Sequence, residues 1–205
     1  VLNCGRTSSI NCVKILIDAG CDLNLQNNDQ NTALHISTFF CKYDGLKKVV
    51  KMLVAAGCNL NLQNKFGMTA LHMAVQFPKK VYKKVIQLLI NNSAQVDIQD
   101  RNGDSVLHEA INYLANNSEE ILEMLINSML DLNLQNKKGQ TVLHLICEKK
   151  LVNNKILLML INRGTNINLQ DICGRTALHY TCANPHSENN EQTMQILFQA
   201  KCDLN

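Results

Sequence analysis

The chain has 205 residues, of which 46% are hydrophobic and 18% charged, and its formal net charge is +3. That much apolar material can bury a core, which excludes a disordered chain. The charge is too small to point to nucleic acid, and no apolar run reaches transmembrane length.

Residues 1–26 read as the later part of a structural unit. A helix is predicted to end at Gly20, a left-handed C′ position, before the short extended segment Asp22-Leu23-Asn24-Leu25. The stretch 27–63 opens with a turn and then Thr32-Ala33-Leu34-His35. Thr32 is a good helix N-cap, and His35 stands where a capping box carries Glu or Gln. A second helix is predicted around Val49-Val50-Lys51-Met52-Leu53, closed by Gly57.

The same order returns in 64–99. The turn Lys65-Phe66-Gly67 precedes Thr69-Ala70-Leu71-His72, and Leu71, Ala74 and Val75 line one face of a first helix. Val85-Ile86-Gln87-Leu88-Leu89 makes the second, with Ser93 in place of the closing glycine. In 100–135 the turn is Arg101-Asn102-Gly103 and the tetrad Ser105-Val106-Leu107-His108. Leu107, Ala110, Ile111 and Leu114 form the apolar face, Ile121-Leu122-Glu123-Met124-Leu125 follows, and Met129 takes the glycine slot. In 136–170 come Thr141-Val142-Leu143-His144, Ile156-Leu157-Leu158-Met159-Leu160 and Gly164. In 171–205 come Thr176-Ala177-Leu178-His179 and, at the glycine slot, Lys201.

The five histidines are 37, 36, 36 and 35 residues apart. A second string precedes each tetrad in register: Asn24-Leu25-Gln26-Asn27, Asn61-Leu62-Gln63-Asn64, Asp97-Ile98-Gln99-Asp100, Asn133-Leu134-Gln135-Asn136 and Asn168-Leu169-Gln170-Asp171. On these residues the chain resembles the ankyrin repeat family over essentially its whole length. The resemblance implies an all-α fold, an ankyrin-repeat solenoid of stacked helix-turn-helix units with short β-hairpin tips. It implies a single ankyrin repeat domain over 1–205, with a partial repeat at 1–26 and repeats at 27–63, 64–99, 100–135, 136–170 and 171–205. Neither end shows a polar capping unit, so the array is expected to continue beyond it. Three departures stand out. The proline of the family's Thr-Pro-Leu-His is Ala or Val here, the Gly-His between the helices is missing, and extra residues fall at 41–46, 78–83, 115–119, 150–154 and 184–191. These insertions lengthen either the first helix or the loop.

Chemistry at single residues is weighed against architecture. Histidines on successive stacked helices are too far apart to share one zinc, so they read as capping residues. Cys147 follows His144 by three residues and Cys182 follows His179 likewise, but the slot holds Thr38, Val75 and Ile111 elsewhere, which points to packing. Nine cysteines, an odd number without a Cys-x-x-Cys pair, read as reduced thiols of an intracellular protein, cytoplasmic or nuclear. The basic run Lys79-Lys80-Val81-Tyr82-Lys83-Lys84 reads as a solvated helix face rather than a nucleic-acid contact. No catalytic motif occurs, so no enzyme activity, cofactor, metal or small-molecule substrate is expected.

In arrays of this kind, binding uses the hairpin tips and the inner face of the first helix. The candidate partner-binding residues on those positions are Phe39, Phe40, Phe66, Met68, Gln76, Phe77, Arg101, Asn112, Tyr113, Lys137, Lys138, Lys149 and Arg175. Four of the five phenylalanines fall there, and aromatics in a polar surround are typical of interface hot spots. Two placements stay open. The aromatics form an exposed, partner-facing stripe, which residues 40, 77 and 113 favour, or Phe39 and Phe77 pack beneath the loop. The function implied is a protein–protein interaction module: a rigid concave surface taking a partner with an apolar feature and, near Lys137, Lys138 and Lys149, an acidic one. Alternatives are a regulator of a Rel-type transcription factor and the targeting domain of a larger multidomain enzyme. The hairpin asparagines Asn24, Asn61, Asn133, Asn168 and Asn205, a hydroxylation position in some members, read here as turn stabilisers.

Overall fold

A computed structural model of the chain describes residues 7–41, 45–77, 80–113, 119–149, 154–183 and 190–200. Among the described residues there are eleven helices and no sheet. Pro78, Lys79, Leu114, Asn184, Lys201, Cys202, Asn205 and the greater part of the insertions lie outside them. The chain divides into two compact units, Val1–Arg101 and Asn102–Asn205.

The first unit holds α1 (Thr7–Asp18), α2 (Ala33–Phe39), α3 (Leu46–Ala55), α4 (Ala70–Val75) and α5 (Lys80–Asn91). The short helices α2 and α4 pack on one another, and the longer α1, α3 and α5 pack side by side behind them. Helices α3 and α5 are amphipathic at the expected period, and α4 is buried on every side. On α3, Val49, Val50 and Leu53 are buried, as are Val85, Ile86 and Leu89 on α5 and Leu71, Ala74 and Val75 on α4. Each such Val, Leu or Ile contributes about 1.5–3 kcal/mol by leaving water.

The second unit repeats the scheme with α6 (Val106–Tyr113), α7 (Glu119–Ser128), α8 (Val142–Glu148), α9 (Asn154–Asn162), α10 (Ala177–Cys182) and α11 (Asn190–Gln199). The first helices α6, α8 and α10 stack in series, and α7, α9 and α11 form the second layer. Leu107, Ala110, Leu125, Leu143, Ile156, Leu157, Leu160 and Leu197 are the core between the layers.

The helix starts are built as expected. At Thr32 and Thr69 the hydroxyl accepts from the backbone N–H of the histidine three residues on, and at Thr32, Thr69, Thr141 and Thr176 the imidazole Nδ1 accepts from the cap's own N–H. At Ser105 the N–H donates to His108 Nδ1, and the hydroxyl meets the same ring nitrogen at 2.8 Å. The helix ends carry left-handed residues at Gly20, Gly57 and Gly164, closed by the paired backbone bonds of a Schellman motif. Ser93 adopts the same conformation, with φ 66°, whereas Met129 does not. In 64–99 the insertion does not lengthen the first helix, since α4 stops at Val75 and a turn follows at Gln76. Instead Lys80–Lys83 form the opening turn of α5, and Glu119 and Asn154 open α7 and α9.

Candidate functional site

The tips are constructed by one side chain per repeat. In the first unit the Asn64 carboxamide oxygen accepts from the N–H groups of Phe66 and Met68, at 2.9 and 3.1 Å. Its amide nitrogen donates to Asn31 of the preceding repeat at 3.0 Å. In the second unit Asn136 holds the N–H groups of Lys138 and Gln140 in the same way and donates to Asp104. Adjacent tips are then joined through their backbones, Arg101 N–H to the Phe66 carbonyl and Lys137 N–H to that of Asn102. The tip glycines are required twice over. Gly67 and Gly139 have φ 76° and 71°, and a Cβ on either would lie 2.6–2.7 Å from the next tip's backbone nitrogen. This rigid frame presents Phe66, Arg101, Lys137 and Lys138 to solvent, with Lys65 over the Phe66 ring at 5.1 Å. Met68 is half-buried and meets the Gln76 amide, 3.7 Å from its sulfur.

At the ends of the first helices the candidates divide. Phe39, Phe40 and Phe77 come together in the first unit: Phe39 packs edge-on against Phe40 at 4.9 Å and Phe77 at 5.3 Å. Phe77 in turn stacks on Tyr82 at 5.0 Å. Tyr82 is wholly buried, and its hydroxyl donates to the Phe39 carbonyl at 2.8 Å. The three phenylalanines are half-buried, and Phe77 has one face spent on Tyr82 of α5. Tyr113 in the second unit is 53% exposed.

In the second unit Asn112, Lys137, Lys138 and Glu148 line a polar groove of about 390 Å³, together with Asn102 and Gln140. Lys149 reaches across to Asn112 at 3.4 Å. Arg175 is held differently. Its guanidinium bonds the buried Asp171 carboxylate at 2.8–2.9 Å and the Tyr180 hydroxyl at 2.8 Å, and lies over the Tyr180 ring. Tyr180 also donates to Asp171 at 2.7 Å and accepts from Gln140 at 3.0 Å. Burial raises the Asp171 pKa, but the donors from Arg175, Tyr180 and Cys173 together outweigh it and hold the carboxyl well below the usual range. The signals for this network are Asp171 where two other repeats carry Asn64 and Asn136, and Tyr180 where others carry Ile36, Met73 and Leu145.

The histidines bridge repeats. Nδ1 of His35 accepts from the Thr32 N–H, and Nε2 donates to the Met68 carbonyl of the next repeat at 3.0 Å. His108 reaches the Gln140 carbonyl and His144 that of Arg175. Burial lowers the pKa of His35 and His144, consistent with a neutral ring whose Nδ1 is an acceptor. Cys147 is buried and its thiol is pushed up to about 11, the opposite of an activated nucleophile. The hairpin asparagines also bridge: Asn24, Asn61 and Asn133 accept from the N–H groups of Asn59, Gln95 and Asn166 at 2.7–2.9 Å. Gln26, Gln63 and Gln135 each donate to their own tip and to the following repeat.

Solved structures share this arrangement. The ankyrin repeat domain of Bcl-3, described as a unique member of the IkappaB protein family, matches with a TM-score of 0.74 and 22% identity, over 96% of this chain and 81% of that one. An ankyrin repeat domain from Acinetobacter baumannii AYE matches with a TM-score of 0.77 and 19% identity, over 97% and 96%. No curated protein sequence matches the chain. The ankyrin repeat profile, three copies long, matches residues 39–136 and 113–205, and with the bonded frame just described it places the chain in the ankyrin repeat family, a protein–protein interaction fold.

Proposed function

We propose that the chain is a protein-binding module that recognises its partner through the tips and first-helix ends. Its first unit offers an apolar edge of Phe40, Phe66 and Phe77, and its second a polar groove flanked by Tyr113, Lys137, Lys138 and Lys149. The observation that carries this reading is a division of labour within each repeat. Asn, Gln, Thr and His of the frame are spent on bonds to neighbouring repeats, while Phe66, Tyr113, Lys137 and Lys138 stand exposed at slots the frame does not use. Exposed aromatics flanked by cations suit a partner segment with an apolar anchor and carboxylates. Arg175 belongs to this surface less than its position implies, because its guanidinium is committed to Asp171 and Tyr180.

The likeness to Bcl-3 is one of fold, at 22% identity. A surface that masks a basic segment should be acidic, and Lys137, Lys138 and Lys149 give this one the wrong sign. The test is a pull-down from source-cell lysate with the chain and a Phe66→Ser/Tyr113→Ser/Lys137→Glu/Lys138→Glu variant, each checked by circular dichroism. Specific proteins captured by the first and lost from the second support the reading. An identical set on both baits overturns it.

A further inference from the structure

The outer helices of the first unit carry a charge pattern that the fold does not need. On α3, Lys47, Lys48 and Lys51 share the face opposite the buried Val49, Val50 and Leu53. On α5, which packs against α3, Lys83 and Lys84 occupy the same register, immediately before the buried Val85 and Ile86. On α1, packed on the other side of α3, Lys14 stands level with Lys51. Lys14, Lys48, Lys51 and Lys84 are exposed, and Lys47 and Lys83 half-buried. Packed helices run about 8–10 Å apart, so these cations form one patch. Neither α3 nor α5 has an acidic residue, and Asp18 is the one carboxylate on α1.

Lys83 is engaged by another group of the protein, so the face is carried by Lys14, Lys47, Lys48, Lys51 and Lys84, and like charges at neighbouring positions are a cost to the array. The second unit shows the ordinary solution: Lys155 of α9 bridges Glu119 and Glu123 of α7. The type of residue narrows the partner. Protein interfaces are depleted in lysine and enriched in arginine and aromatics. Single-stranded nucleic acid is held with stacked aromatics and arginine. Helices α1, α3 and α5 contain no arginine, and Tyr82, their one aromatic, is wholly buried. A planar anionic surface requires only spread-out ammonium groups within a Debye length.

We propose that this lysine face, on the second-helix layer of the first unit, is an electrostatic docking surface for an anionic lipid bilayer, separate from the tips that bind protein. A single basic patch gives weak, reversible adsorption rather than anchoring. The test is co-sedimentation of the full chain with phosphatidylcholine vesicles, with and without about 30% phosphatidylserine, at low and raised salt. The comparison proteins are Lys48→Gln/Lys51→Gln/Lys84→Gln and, as a charge-matched control, Lys137→Gln/Lys138→Gln/Lys149→Gln. The expected result is binding that requires phosphatidylserine, falls with salt, and weakens about a hundredfold in the first variant but not in the control. Gln keeps helix propensity at these exposed positions, and equal melts of the three proteins verify the fold. Three results overturn the proposal: no dependence on phosphatidylserine, equal losses in both variants, or tighter binding to a single-stranded oligonucleotide than to the vesicles.

Discussion

Nε2 of His144 lies 3.0 Å from the carbonyl oxygen of Arg175, a bond that crosses a repeat boundary through a neutral imidazole. Its Nδ1 accepts from the Thr141 N–H at 3.0 Å, so a second proton on the ring would break the cap. Burial first, against the raising effect of that carbonyl, sets the folded pKa of His144 below its ordinary 6.5, and His35 behaves alike. As pH falls through about 6.5 the unfolded chain takes up these protons before the folded one. The stabilisation is therefore complete above that value and is lost as pH falls through the lower folded pKa. Thermal melts from about pH 7.5 to about pH 5 should show Tm falling on the acid side, with a shallower fall in His144→Gln. A Tm that is flat or rises toward pH 5 contradicts this. The Asp171 contribution survives that window, since its depressed carboxyl is lost only below the ordinary 3.8.

Among the described residues, two left-handed positions are occupied by residues other than glycine: Gln30 at φ 58°, in the slot of Gly67 and Gly139, and Ser93 at φ 66°. Gln30→Gly and Ser93→Gly should each stabilise by about 1 kcal/mol, or about 2–4 °C in Tm. In the opposite direction, Gly139→Ala should cost more than Gly174→Ala. Both backbones are left-handed, but only the first Cβ meets a neighbour, Ile172 N at 2.7 Å, while the second meets nothing within 4 Å. Equal losses for the two alanines would show that crowding between tips is unimportant.

Tyr180→Phe removes one oxygen from a buried network. It leaves Gln140 without its acceptor and takes a donor from Asp171. A loss of about 1–3 kcal/mol is expected by denaturant melt. A loss within error would mean that Arg175 and the Cys173 N–H satisfy the carboxylate without the hydroxyl.

The aromatic candidates should separate by stability. Phe77→Ser strips the ring stacked on the buried Tyr82 and should cost about 1–3 kcal/mol, whereas Phe66→Ser and Tyr113→Ser should leave the melt within about 0.5 kcal/mol. If Phe77→Ser is silent, the cluster does not brace the helix pair and Phe77 is as available to a partner as Phe66.

The repeat frame was legible because its determinants are local. Thr69 and His72 cap a helix three residues apart, Gly57 closes one, and Leu71, Ala74 and Val75 share a face by period alone. The insertions were not legible. Residues 80–83 lie in α5, where Tyr82 reaches the Phe39 carbonyl, 43 residues earlier.

The sequence by itself therefore determined the fold class, the register of the repeats and which slots vary, since each follows from spacing within one repeat. Tertiary structure alone decided that Phe39 and Phe77 share a half-buried cluster while Phe66 and Tyr113 stand in solvent, and that Arg175 is tied to Asp171 and Tyr180. It also decided that Asn24, Asn61 and Asn133 tie one repeat to the next. These outcomes rest on groups about one repeat or more apart in sequence, or on a side chain choosing between water and a buried partner, and neither is encoded in local periodicity.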